Sequence, residues 1–110
     1  MYKLCRINIK DRKKIYNDLI NFIERLKRKF VIKSIYLYGS FYTGKIHEGS
    51  DIDLIIIGDF KERFFERIGK IIELTDLPIE PLVYTEDEFE EMINNKNPFI
   101  LNVLKNSKKF

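Results

Sequence analysis

Apolar positions recur at helical spacing over residues 11–30, where Ile15, Leu19, Phe22, Ile23, Leu26 and Phe30 share one face. The opposite face carries Lys and Arg, so the pattern predicts one long amphipathic helix. The period then changes. Residues 31–38 are short, β-branched and aromatic and stop at Gly39, which predicts a strand. Residues 40–49 are polar and leave room for one or two helical turns, with Gly44 and Gly49 as breakers. Residues 51–57 form a second strand, and because it is apolar at both parities beyond Asp53 it should be buried on both faces.

Gly58 closes that strand, and Asp59 with Glu62 predicts a capping box for a helix whose stripe is Phe64, Ile68, Ile71 and Ile72. Leu77-Pro78 should end it. Residues 79–84 read as a third strand, and Pro81 places it at a sheet edge or at an irregularity. Thr85 with Glu88 is a second capping box, opening a helix through Met92 and Ile93. Asn97-Pro98 starts a last short helix containing Ile100, Leu101 and Leu104, with Pro at the permitted first position. The order is helix, strand, short helix, strand, helix, strand, helix, helix, an α+β chain. The strand–helix–strand unit over residues 51–84 should be a right-handed parallel crossover. Parallel neighbours start at the same edge, so Glu80 is expected beside Asp51 and Asp53.

Composition narrows the class. With 110 residues, 45% hydrophobic and 34% charged, the chain fits a single globular domain over 1–110 with a core of its own. Cys5 stands alone, so no intramolecular disulfide forms, and no Cys/His cluster suggests zinc. A reducing, cytoplasmic setting is the expectation. The N-terminal stretch lacks the apolar core of a signal peptide, and the longest apolar run, residues 54–57, is too short for a membrane span. Twenty Lys and Arg against seventeen acids leave a net charge of +3, which argues against general nucleic-acid affinity. The basic clusters at residues 10–14 and 25–29 read as the wet face of the first helix, with a partner or phosphate surface as the alternative.

Candidate chemistry gathers between the first two strands. Asp51 and Asp53 are two apart, so both side chains leave one face of their strand. Like charges at that range raise each other's pKa unless a cation intervenes. An all-oxygen set suits magnesium, and Glu80 would add a third carboxylate, enough for two metals in an in-line phosphoryl displacement. The plain alternative is a solvated strand start, with Glu80 an ordinary exposed residue. Gly39-Ser40 permits close backbone approach to an anion at a helix start, or is simply a tight turn with Ser40 as helix cap. His47, the only histidine, reads as an exposed loop residue before a catalytic one, and Lys45 either neutralises phosphate charge or is a surface lysine. Tyr36 and Tyr38 share a strand face and read as core, whereas Tyr42 is the better candidate for stacking on a base.

Gly39-Ser40, Gly44 and Ser50-Asp51-Ile52-Asp53-Leu54 resemble the Gly-Ser…Ser-Asp-x-Asp-Leu signature of the DNA polymerase β-like nucleotidyltransferase superfamily. Length and helix-first order are most similar to the minimal nucleotidyltransferases. The resemblance implies a small mixed sheet flanked by helices, and binding of a nucleoside triphosphate such as ATP with two Mg2+ ions. It implies transfer of a nucleotide with release of pyrophosphate. Gly39, Ser40 and Ser50 would hold the nucleotide, and Asp51, Asp53 and Glu80 would be catalytic metal ligands. The family's third carboxylate is usually Asp; here Glu80, one methylene longer, stands at that place.

After Tyr84 little chain remains for an acceptor-binding domain, so the acceptor would arrive on a partner. By resemblance this is a small helical HEPN-domain protein, the pair acting as toxin and antitoxin through adenylylation of a hydroxyl. The competing reading is a binding module that neutralises its partner by contact, with weak catalysis. Modification of nucleic-acid ends ranks last because the net charge is small. A homo-oligomer is compatible with the sequence.

Overall fold

The computed structural model describes residues 12–46 and 49–110; Cys5, Lys10, Asp11 and His47, read above from sequence, lie outside the described residues. Helix α1 (Arg12–Lys29) is followed by β1 (Ile32–Tyr38), the single turn α2 (Ser40–Thr43), β2 (Ile52–Gly58) and α3 (Phe64–Ile72). Then come β3 (Ile79–Tyr84), α4 (Glu86–Asn94), α5 (Pro98–Lys105) and a two-residue strand, β4 (Lys108–Lys109). The strands form one sheet in the order β3-β2-β1-β4. β2 runs parallel to β3, and β1 is antiparallel to both β2 and β4, so the fold is α+β with a small mixed sheet.

Strand parity sorts the core into two layers. Ile35 and Leu37 of β1, Ile52, Leu54 and Ile56 of β2, and Val83 of β3 pack with Leu19, Phe22, Ile23 and Leu26 of α1 and Ile71 of α3. The opposite parity, Tyr36, Tyr38, Ile55, Ile57, Leu82 and Tyr84, packs with Phe89 of α4 and with Ile100 and Val103 of α5. Central β2 is therefore buried on both faces, as its unbroken apolar run requires. Pro81 lies in β3, an edge strand, where a missing N–H is tolerated.

α1 carries Lys27, Arg28 and Lys29 in its last turn, where positive charge complements the helix dipole. All three are exposed, and of the second basic cluster Arg25 turns back to donate to the Leu74 carbonyl (2.5 Å).

Three local expectations are corrected. Asp59 and Glu62 do not cap α3; the helix starts at Phe64 with Arg63 before it and no side-chain cap. The intervening chain is drawn inward instead, with Phe60 buried against Phe30 at 5.5 Å between ring centroids, and Glu62 pairs with Lys70 at 2.5 Å. α3 also ends at Ile72, well before Pro78, in a turn where Thr75 accepts from the Leu77 amide (3.1 Å). β4 was not anticipated: Phe110 and Ile35 exchange backbone hydrogen bonds beside it, tying the final residues to β1.

The second capping box forms as read, with Thr85 accepting from the Glu88 amide (3.2 Å) and Glu88 accepting from the Thr85 amide (2.9 Å). Its Glu88 has a further duty. The buried Arg67 guanidinium donates to Glu88 (2.6 Å), to the Val83 carbonyl (3.3 Å) and to the Glu62 carbonyl (2.7 Å), so one side chain joins α3, β3 and α4. Glu88 is held below the usual carboxylate range mainly by that guanidinium. Arg67→Met should lower unfolding stability by about 3 kcal/mol, because the buried Val83 carbonyl, the part-buried Glu62 carbonyl and the Glu88 carboxylate all lose a charged donor. Lys70→Met, which removes only an exposed partner of Glu62, should leave the urea midpoint nearly unchanged.

Candidate active site

The strand register decides which predicted residues meet. Across the sheet, Tyr38 of β1 pairs with Asp53 of β2, and Asp53 pairs with Glu80 of β3. Laterally paired residues project from one face, so all three stand on the α4/α5 side, in the row next to Tyr36, Ile55 and Leu82. Asp53 is half-buried, whereas Asp51 and Glu80 are exposed. The Asp53 carboxyl is pushed up to about 6, first by burial, then by its hydrogen bond with Glu80, then by the charges of Glu80 and Asp51. That hydrogen bond needs a shared proton: two carboxylates in contact hold either a proton or a cation between them.

Gly39 closes the site from above. Its φ of +72° is left-handed, and a Cβ built there would lie 2.2 Å from the Asp53 Oδ2 atom. The turn and the carboxylate are thus in direct contact, as expected from sequence if the connector folds back. Gly39, not Ser40, occupies the N-cap position of α2, because its carbonyl accepts from the Tyr42 and Thr43 amides at 3.0 Å each. Ser40 opens the helix, its carbonyl accepting from the Gly44 amide at 2.9 Å. Ser50 is buried just before β2. Tyr42 is exposed on α2.

Among the described residues, no three His, Cys, Asp or Glu side chains are gathered into a ready metal cage. Asp53 and Glu80 converge; Asp51 acts on Asp53 through its charge. The pair nonetheless suits a hard cation. Both donors are oxygens, and burial raises the free energy of the ionised Asp53 unless positive charge offsets it. Magnesium bound by one or two carboxylates takes its remaining ligands from water and substrate phosphates.

Two side chains at this end of the sheet were not singled out for the site by the sequence. Tyr38 read as core, yet its hydroxyl is pushed above the tyrosine range by burial and by the Asp53 and Glu80 charges, which places it beside the carboxylates. Phe99, on the first turn of α5, meets the Tyr38 ring edge-on at 5.6 Å. Only a Tyr adjoining the Gly-Ser turn marked the first, and nothing in the local sequence marked the second.

A mixed sheet that sets a carboxylate pair under a Gly-Ser turn is the arrangement of a nucleotidyltransferase. The chain belongs to the nucleotidyltransferase domain family, whose model matches residues 19–110. It is 34% identical over 76 residues to a protein of Methanocaldococcus jannaschii provisionally named a protein adenylyltransferase, a match covering 66% of this chain and 76% of that one. Its fold resembles that of a crystal structure provisionally named a nucleotidyltransferase from Sulfolobus solfataricus. There the TM-score is 0.61 at 19% identity, over 76% of this chain and 78% of that one.

Two substitutions test this geometry. Gly39→Ala should destabilise the protein by at least about 1 kcal/mol from its left-handed φ alone. In an Asp53→Ala background the loss should shrink, since the colliding carboxylate is gone; equal losses in both backgrounds would refute the contact. Asp53→Asn, measured in chelator, should raise the melting temperature at neutral pH. The folded-state pKa is raised, so ionising Asp53 weakens the fold fully above about pH 6 and not at all below the ordinary carboxylate range near about pH 4. The advantage of Asp53→Asn should therefore fade as pH falls through that window.

Proposed function

We propose that the protein is a magnesium-dependent transferase that moves AMP from ATP to a hydroxyl on a partner protein. The observation that carries this reading is the contact of Gly39 with an Asp53 carboxylate already paired to Glu80. A phosphate-gripping turn and a carboxylate pair in contact serve one substrate. The name of the Methanocaldococcus jannaschii relative supports a protein as acceptor and adenylate as the group moved.

In this reading Gly39 and Ser40 hold the triphosphate, with Ser50 shaping the same edge. Asp51, Asp53 and Glu80 hold the metal, which, when bound, offsets negative charge on the phosphates and the carboxylates. The acceptor hydroxyl forms a bond to the α-phosphorus, the α–β bridging bond breaks, and pyrophosphate leaves. The hydroxyl proton passes to the carboxylate pair. Glu80 would orient the incoming oxygen, a role its exposure on the edge strand supports. Substrate orientation and charge stabilisation, rather than covalent chemistry by the protein, would supply the rate.

The acceptor's carrier, in this proposal, is a small helical HEPN-domain protein, with this chain as the antitoxin of the pair. A second reading keeps the nucleotide but not efficient catalysis: Asp51 is not gathered with Asp53 and Glu80 into a three-carboxylate group. The chain would then neutralise its partner by contact.

Incubation with the partner, magnesium and ATP separates these readings. Label from the α-phosphate should appear on the partner and label from the γ-phosphate should not. Asp53→Asn and Asp51→Asn should each reduce transfer at least about 100-fold, the scale of losing a group used only in the transition state. Glu80→Asp should retain more transfer than Glu80→Ala. Neutralisation that survives both Asp substitutions, without label, would favour the contact module.

A further inference from the structure

The row that begins with the carboxylates does not end with them. From Glu80 through Asp53 to Tyr38 it crosses three neighbouring strands on one face, and the Tyr38 ring then meets Phe99. Tyr38 is the cross-strand partner of Asp53, so Phe99, one ring further on at 5.6 Å between centroids, stands at the same end of the same face as the carboxylates.

Phe99 is otherwise hard to place. α5 closes the core with Ile100 and Val103, whereas Phe99 keeps 43% of its surface exposed. Its position is fixed all the same. Asn97 accepts hydrogen bonds from the Phe99 amide (3.0 Å) and the Ile100 amide (3.2 Å), and Pro98 sets the backbone of the first turn. The two ring planes stand 78° apart, making an aromatic corner. A third planar ring can lie on one face of such a corner and meet the other ring edge-on. Exposed on a fixed backbone and already packed edge-on against Tyr38, the ring is ready for something to stack on it.

The geometry points to Phe99, backed by Tyr38, as the platform on which the base of the nucleoside triphosphate stacks, with purines held more tightly than pyrimidines. This rests on the reading of Gly39 and Asp53 as the phosphate end. In-line displacement sets the acceptor and the departing pyrophosphate on opposite sides of the α-phosphorus, and the nucleoside extends along the remaining direction. In that reading Glu80 faces the acceptor and the Gly39-Ser40 turn the pyrophosphate, and the aromatic corner, next along the row from Asp53, takes the base. Tyr42, the ring favoured from sequence, lies on α2 beyond the phosphate turn.

The test compares ATP, CTP and inorganic tripolyphosphate, each titrated with magnesium against the full chain by calorimetry. The wild type should bind ATP more tightly than CTP, and both more tightly than tripolyphosphate. Phe99→Ala and Phe99→Leu should each weaken ATP by about tenfold, within the range measured for losing one base–aromatic stack, and leave tripolyphosphate unchanged. Phe99→Tyr should restore ATP affinity. Unchanged ATP affinity in Phe99→Ala, an equal loss for tripolyphosphate, or a loss of base preference in Tyr42→Ala instead would each overturn the assignment. A wild type that binds none of the three would overturn the nucleotide reading itself, a different result from any of these.

Discussion

Six consecutive parallel pairings, from Ile52 with Ile79 to Ile57 with Tyr84, hold β2 and β3 in one register. A slip of one residue would turn every β3 side chain to the other face, moving Val83 out of its α1/α3 layer and turning Glu80 toward α1 and α3. The register is therefore enforced by hydrophobic parity on both sides of the sheet, well away from the carboxylates. Its by-product is the Asp53–Glu80 pair. Arg67 secures the same arrangement from the far end of β3, by bonding the Val83 carbonyl and the Glu88 side chain where the strand turns into α4. A site with like charges in contact needs such a frame, because nothing within the pair favours its assembly until a cation or a proton is present.

Much of this was legible in the sequence. Residues with a strong period, such as the α1 stripe and the apolar run of β2, formed the elements expected of them. Pro81 marked an edge strand correctly, since one missing donor is a local fact with a local consequence. The Thr85/Glu88 box formed, whereas the similar Asp59/Glu62 pattern did not. The difference is Phe60: burying its ring against Phe30 outweighs the modest gain from a capped first turn. Parallel order also placed Glu80 beside Asp53 from sequence alone, because parallel strands enter the sheet at one edge.

What stayed hidden depends on contacts between distant segments. β4 is two residues long and exists because the chain end reaches β1, where Lys108 also bonds the Tyr16 hydroxyl. No periodicity can announce so short a strand. Phe99 falls beside Tyr38 only through the angle at which α5 crosses the sheet, which no pattern within α5 records. The Gly-Ser turn was visible as a motif, but the collision a side chain at Gly39 would make with Asp53 is a property of the folded chain.

The position of Asp53 along β2 explains why the site lies where it does. Ile55 and Ile57, further along the same face, are sealed beneath α4 and α5, with at most 2% of their surface exposed. Asp51, before the strand, is open to water. A carboxylate at position 55 would be fully desolvated, and the fold would hold it protonated and useless as a ligand. One at position 51 alone would be well hydrated and would bind a cation weakly. Asp53 sits where the helical cover stops, buried enough that ionising it raises its free energy and open enough for a substrate phosphate to share the cation. The edge of the α4/α5 layer thus sets both the strength of the site and its access, and the aromatic pair at that edge, Tyr38 with Phe99, becomes its natural wall.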